Sequence, residues 1–290
     1  GEGFSLLAAL LWAVAVLLLR RSGETVGPFA LNLYRVAVSG VLLVATVLAL
    51  GLPLLPTRPW TDYLLLAASG LIGIALSDTL LHRSINMVGA GINAIVDCLY
   101  APFAALLALL LVGERMGPLQ LVGMTLVIGA VLATTRAVPP AGTDRRTLLL
   151  GILWGAAAMV TLALGVVLAK PVLTDAPVLW VVATRQVVAL AAMAPVAAAL
   201  PRRREIFAVL VPGPSWRFTL PATLLGSFLA LMCWLAGMKY TTVGTAAILN
   251  QTSTIFILVL ASLFLNEPFT PRRVASALLA FAGIVLVTLG

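Results

Sequence analysis

Apolar residues run along this chain in stretches of about twenty, broken by short clusters of Pro, Gly and Arg. None of these stretches alternates polar and apolar residues with a period of two, as the strands of a membrane barrel would. A run of about 20 apolar residues crosses a hydrocarbon core of roughly 30 Å as a helix. Lipid offers the backbone no partners, so such a run must close its own hydrogen bonds. Cutting at the polar punctuation predicts ten helices, over 4–20, 28–50, 62–82, 91–112, 118–136, 147–169, 177–200, 217–238, 243–265 and 272–289. The fold class is therefore an all-α membrane protein with ten transmembrane helices. No gap holds a soluble domain. The longest gaps are 137–146 and 201–216, and the second has room for a short interfacial helix over Ile206 to Val211.

A second pattern lies over the first. LLLVGERMGPLQLVG, Leu109 to Gly123, and SLFLNEPFTPRRVAS, Ser262 to Ser276, each end an apolar run with a glutamate and place a proline four residues later. The two copies are 153 residues apart, and the same shift carries Gly73 onto Gly226, Gly91 onto Gly244, Phe103 onto Phe256, Glu114 onto Glu267 and Pro118 onto Pro271. Upstream the shift shortens, so that Arg35 meets Arg185 and Leu11-Trp12 meets Leu153-Trp154. Five spans thus repeat as five spans. Because five is odd, the second copy enters the membrane from the opposite side, which makes two inverted five-helix repeats. The expected division is 1–136 and 147–290, joined by a linker loop over 137–146.

Composition agrees and excludes much else. The chain is 62% hydrophobic and 10% charged, against about a quarter charged in a soluble domain. Its net charge of +8 does not imply a nucleic-acid partner, because the arginines sit in short loops between apolar runs. Loops after the odd-numbered spans hold twelve Lys and Arg, and the remaining loops hold four. By the positive-inside rule the arginine-rich face is cytoplasmic and both termini are outside. No signal peptide is expected, since the first span lacks a basic leader and a cleavage site. Cys98 and Cys233 both fall inside spans and read as buried free thiols.

An ionisable side chain within a span costs about 2.5–3.5 kcal/mol on insertion scales, so each needs a reason. Arg35, Asp78, Asp97 and Arg185 stand well inside, with Asn93 and His82 nearby. The second repeat does not copy the acids: Asp97 meets Asn250, Asp78 meets Leu231 and His82 meets Leu235. Arg185 is left with Gln186, Asn250 and Gln251 as neutral neighbours, and inversion puts the two charge centres in opposite leaflets. Arg35 and Arg185 either bind substrate or fix helix ends. Asp78 either neutralises Arg35 or joins it at a site. Asp97 is a proton or cation site, or else a structural acceptor. His82 is either an interfacial residue or a proton relay. Asn93, Asn250, Gln251 and Gln186 are substrate contacts or interhelical bonds. Tyr34, Tyr100, Trp154, Trp180 and Trp234 read as packing or interface residues. Glu114 and Glu267 read as clamps, each accepting N–H groups from the helix that starts at the following proline.

The motifs GERMGPLQLVG and NEPFTPRRVAS, with the early-span arginines of LYRVAVSG and ATRQVVAL and the leading LLWAVAV and ILWGAAA, resemble the EamA branch of the drug/metabolite transporter superfamily over nearly the whole chain. That resemblance implies a multi-pass carrier of the bacterial inner (plasma) membrane, many members being exporters of amino acids, other small metabolites, nucleotide sugars or drugs. It also implies termini inside, against the loop charges.

The function expected is secondary-active export of a small polar or amphipathic metabolite by alternating access. An amino acid or related zwitterion would place its amine toward Asp97 and Asp78 and its carboxylate toward Arg185. Protons are the expected coupling ion, exchanged at Asp97, Asp78 or His82. A multidrug, cation or nucleotide-type carrier and a passive channel are the other readings. A single His, no Gly-x-Ser-x-Gly and no Walker motif argue against an enzyme or an ATP-driven pump. Neither cofactor nor metal is expected. Membrane lipid is the surrounding partner, and the chain is expected as a monomer or homodimer.

Overall fold

The computed structural model describes residues 1–113, 116–135, 144–240 and 243–289. Ten helical spans follow in order, with no strand among the described residues. They are α1 (Glu2–Ser22), α2 (Pro28–Ala49), α3 (Trp60–Val88), α4 (Ala90–Asp97 then Tyr100–Val112), α5 (Pro118–Thr134) and α6 (Arg145–Asp175). The rest are α7 (Val178–Ala199), α8 (Trp216–Ala222 through to Leu231–Tyr240), α9 (Val243–Gln251 then Ser253–Leu265) and α10 (Pro271–Leu289). Prolines open α2, α5 and α10, where a missing N–H costs nothing. Asp144 caps α6 by accepting the Thr147 N–H at 2.8 Å, a bond that holds its carboxyl below the usual carboxylate range. Gly113 (φ 76°) and Asn266 (φ 53°) end α4 and α9 in the left-handed conformation that Gly and Asn adopt most readily. The Gly or Asn before each motif glutamate therefore has a backbone reason.

Inversion is visible in how equivalent helices meet. Gln120, at the start of α5, donates to the Val287 carbonyl at the end of α10. Asn32, early in α2, reaches Met193, late in α7, while Gln186 bonds Ser39 between them. Glu267, beyond the end of α9, bonds the start of α4. Each pair of counterparts is antiparallel, as two repeats entering from opposite sides must be. The contacts that cross the repeats come in matched sets: α6 packs on α3 and α4, and α1 packs on α8 and α9.

Close approach depends on glycine. A Cβ on Gly123 would lie 2.5 Å from the Gly283 carbonyl oxygen, and one on Gly283 would lie 2.7 Å from that of Gly123. These two glycines set the α5–α10 separation. Gly123→Leu is expected to cost about 1–3 kcal/mol by overpacking and to lower the melting temperature in detergent. Gly129→Leu on the same helix meets open space and should leave the melting temperature unchanged.

Three sequence expectations need correction. The short helix lies at Arg203–Ala208, not 206–211. Glu205 suits its first turn, and the Pro212-Gly213-Pro214 stretch stops the chain from continuing it. Span 3 runs six residues past position 82, because His82 is buried and the Arg83 guanidinium stacks 4.3 Å over Trp154. Polar residues here do not mark the helix end. Spans 4 and 9 are not continuous helices. Both break, at Cys98–Leu99 and at Thr252, in short i→i+3 turns. With the 153-residue shift, Leu99 falls on Thr252, so the break repeats too.

Candidate functional site

The two breaks meet at one cavity. It measures about 390 Å³ and is lined from α1 by Ala8 and Trp12 and from α3 by Asp78 and Leu81. From α4 come Ala94, Asp97 and Tyr100, and from α6 Met159, Leu162 and Val166. The second repeat adds Gly226, Ala230, Leu231 and Trp234 of α8 and, from α9, Asn250, Gln251, Ser253, Thr254 and Ile257. A larger crevice of about 950 Å³ lies at the arginine-rich end, between the α1–α2 turn and the 200–218 segment. It holds none of the intramembrane acids, so the smaller cavity is the candidate site.

Asp97 is the last residue of the first half of α4, and Asn250 takes the equivalent place in α9. Both carboxylate oxygens of Asp97 accept from the Asn93 side-chain amide, each at 3.0 Å. Among the described residues no Arg or Lys pairs with Asp97. Asn250 and Gln251 line the cavity from the equivalent break. At each break the negative end of one half-helix and the positive end of the next approach the same space.

The arginines lie beside this cavity, not in it. Arg35 Nη1 is 3.3 Å from an Asp78 oxygen and 2.8 Å from His82 Nε2, and its Nε donates to Ser227 Oγ at 3.1 Å. Since Arg35 can only donate, His82 Nε2 is the acceptor, which leaves the imidazole proton on Nδ1. His82 is thus neither interfacial nor free to take a proton at Nε2. Arg185 packs against Gly73, where a Cβ would lie 3.1 Å from its Nη2, and it acts electrostatically on Asp78 and Tyr100. The two arginines therefore meet one stretch of α3, and separate charge centres in opposite leaflets are not found. Gln186 donates to Ser39 and serves the α2–α7 contact.

The pairing of Arg35 with Asp78 was legible in sequence, but its bond to Ser227 and the seat of Arg185 on Gly73 were not. In α3 and α8 the helix widens to i→i+5 bonding over Leu71–Leu76 and Thr223–Ala230, the same place in each repeat. Such π segments are rare and concentrate at functional sites. Arg185 of the second repeat rests on Gly73 of the first segment, and Arg35 of the first repeat bonds Ser227 of the second. Asn32 donates to the Ile74 and Ala75 carbonyls, both in the first segment. The glycine pair Gly73 and Gly226 was the only sequence signal: Gly73 touches Gly165, and Gly226 touches Ala15 and Trp12. Trp12, Tyr100 and Trp234 line the cavity, whereas the sequence marked Trp12 only as part of the repeat and the other two as packing. Gly151 and Gly155 allow close packing of α6 against Val88 and Ser84. Both cysteines are free thiols.

Glu267 corrects a further expectation. It accepts from the N–H groups of Ala90 at 2.6 Å and Gly91 at 3.0 Å. It therefore caps α4 of the other repeat, not α10, the helix that follows it. Glu114 lies outside the described residues, as does most of the 137–146 linker.

Two inverted five-helix repeats closing around a mostly apolar pocket with a few polar groups, between broken helices, define a membrane carrier fold. The EamA-like transporter family model matches residues 1–136 and again residues 149–289, and the chain belongs to that family, within the drug/metabolite transporter superfamily. It is a multi-pass membrane transporter. A solved structure titled "Crystal structure of protein" shares the fold, with a TM-score of 0.63 at 20% identity over 99% of this chain and 95% of the other. No curated protein matches the chain.

Proposed function

We propose that this transporter exports a small metabolite bearing a protonated amine, best an amino acid or related zwitterion, in exchange for protons across a bacterial inner membrane. The observation that carries the reading is Asp97, a carboxylate at a helix break inside the cavity whose hydrogen-bond partner among the described residues is a neutral amide, that of Asn93. A buried carboxylate without a cation is tolerated when it holds a proton or when a bound ammonium neutralises it. Alternation between those two states is antiport. Trp12, Tyr100 and Trp234 supply faces for an apolar or cationic body. The substrate carboxylate would lie toward Ser253 and Thr254 at the start of the second half of α9, with Arg185 adding positive potential from behind Tyr100 and Asp78. The bodies that move about the cavity would be the sets packed across the repeats, α6 with α3 and α4, and α1 with α8 and α9.

Counterflow into proteoliposomes tests the reading. Labelled amino acids are expected to accumulate when unlabelled amino acid is trapped inside, and the N-acetylated analogues to be ignored. Equal uptake of amine-blocked and free forms would reject the role given to Asp97. Trans-stimulation itself separates a carrier from a pore.

A further inference from the structure

Inverted repeats place equivalent residues at opposite ends of the pathway, so a difference between equivalents reports which end is shut. In the first repeat Ile92, Ile95 and Val96, near the arginine-rich face, are fully buried. Their counterparts Thr245, Ile248 and Leu249, near the face that carries the termini, are each partly exposed. Leu81 and His82 are buried, and their counterparts Trp234 and Leu235 are not. On that side Trp234 both lines the cavity and is partly exposed, whereas the buried set on the arginine-rich side closes the cavity toward its face. At that seal the Glu267 carboxylate holds the Ala90 and Gly91 N–H groups, with Arg273 Nη1 3.5 Å from its Oε2. Arg273 is buried, and its Nη2 has no hydrogen-bond partner among the described residues. Gly89 stands at φ 81°, and a Cβ there would strike the Glu267 carboxylate. The positive φ at 89 favours glycine there, and its lack of a Cβ lets the Glu267 carboxylate approach. The capped half-helix is the one that ends in Asp97.

We infer that Glu267, backed by Arg273, is the latch of the arginine-rich gate, a positioning residue that ties the Asp97 half-helix to the opposite repeat and must let go for the cavity to open on that face. This rests on the alternating-access part of the function proposed above. No substrate is needed to test it. In a Cys98→Ala/Cys233→Ala background, Ile95→Cys reports the arginine-rich seal and Leu249→Cys the opposite end, each labelled by an impermeant maleimide from its own side of oriented vesicles. Glu267→Gln is expected to speed labelling at position 95 by roughly tenfold, the scale of a lost charge-assisted hydrogen bond, and to slow it at position 249. General loosening of the fold would speed both and overturn the latch, as would two unchanged rates. Should the glutamine variant not fold, Arg273→Met keeps both N–H bonds and must move the two rates in the same opposed directions; otherwise the latch is rejected. Failure here leaves the amine requirement of counterflow untouched, and failure of counterflow leaves the labelling rates untouched.

Discussion

Asp97→Asn is expected to reduce counterflow of the cationic or zwitterionic substrate by about 100-fold and to abolish accumulation driven by a pH gradient. The asparagine preserves shape and can still bond Asn93, so the protein should fold and elute normally. What it removes is the charge. Truncating one member of a buried charge pair costs about 2–5 kcal/mol, and roughly 2.7 kcal/mol is 100-fold in affinity. The two functions of the residue separate in the assay. If Asp97 only anchored Asn93, binding would weaken little and the pH gradient would still drive uptake. The repeat supplies a second arm. Position 250 lines the same cavity from the equivalent break, so Asp97→Asn/Asn250→Asp returns one carboxylate to the pocket. Transport in the swapped protein should recover to within about tenfold of the wild type, provided charge in the cavity, and not the α4 backbone, is what the substrate needs.

How much of this was readable beforehand depended on the kind of signal. Span positions and inversion were legible because lipid enforces apolar runs and because Glu, Pro and Arg recur at a fixed shift. The mismatch of Asp97 with Asn250 was legible for the same reason, and both residues do line one cavity. Helix breaks and π segments were not. Apolar sequences such as LIGIAL and TLLGSFLA look like any other membrane helix, and the groups that meet them, Arg185 at Gly73 and Arg35 at Ser227, come from distant parts of the chain. Helix rotation was equally hidden, which is why Tyr100 and Trp234 read as packing and Arg185 as a pocket residue. Glu267 was read as a local cap because sequence shows only neighbours along the chain. Its true partners, Ala90 and Gly91, are more than 170 residues away.

The buried arginine cluster leads to the second large effect. Arg35 is 6% exposed and is the common partner of Asp78, His82 and Ser227. Arg35→Met would take from Asp78 its ion-pair partner and leave His82 Nε2 without its donor. Breaking such a pair from one side typically costs about 3–5 kcal/mol, a large share of the roughly 5–15 kcal/mol by which folded domains are stable. The expected result is little folded protein, or a melting temperature many degrees lower by size-exclusion fluorescence after heating. The second repeat indicates the remedy. Where the first repeat has Asp78, the equivalent residue is Leu231. Arg35→Met/Asp78→Leu removes both charges at once and should melt closer to wild type than Arg35→Met does, because a buried pair replaced whole by apolar groups is often neutral or stabilising. If the double variant is as unstable as the single one, Arg35 stabilises the fold through Ser227 and the π segment of α8 and not through Asp78. The ion pair would then belong to the transport cycle instead of to the scaffold.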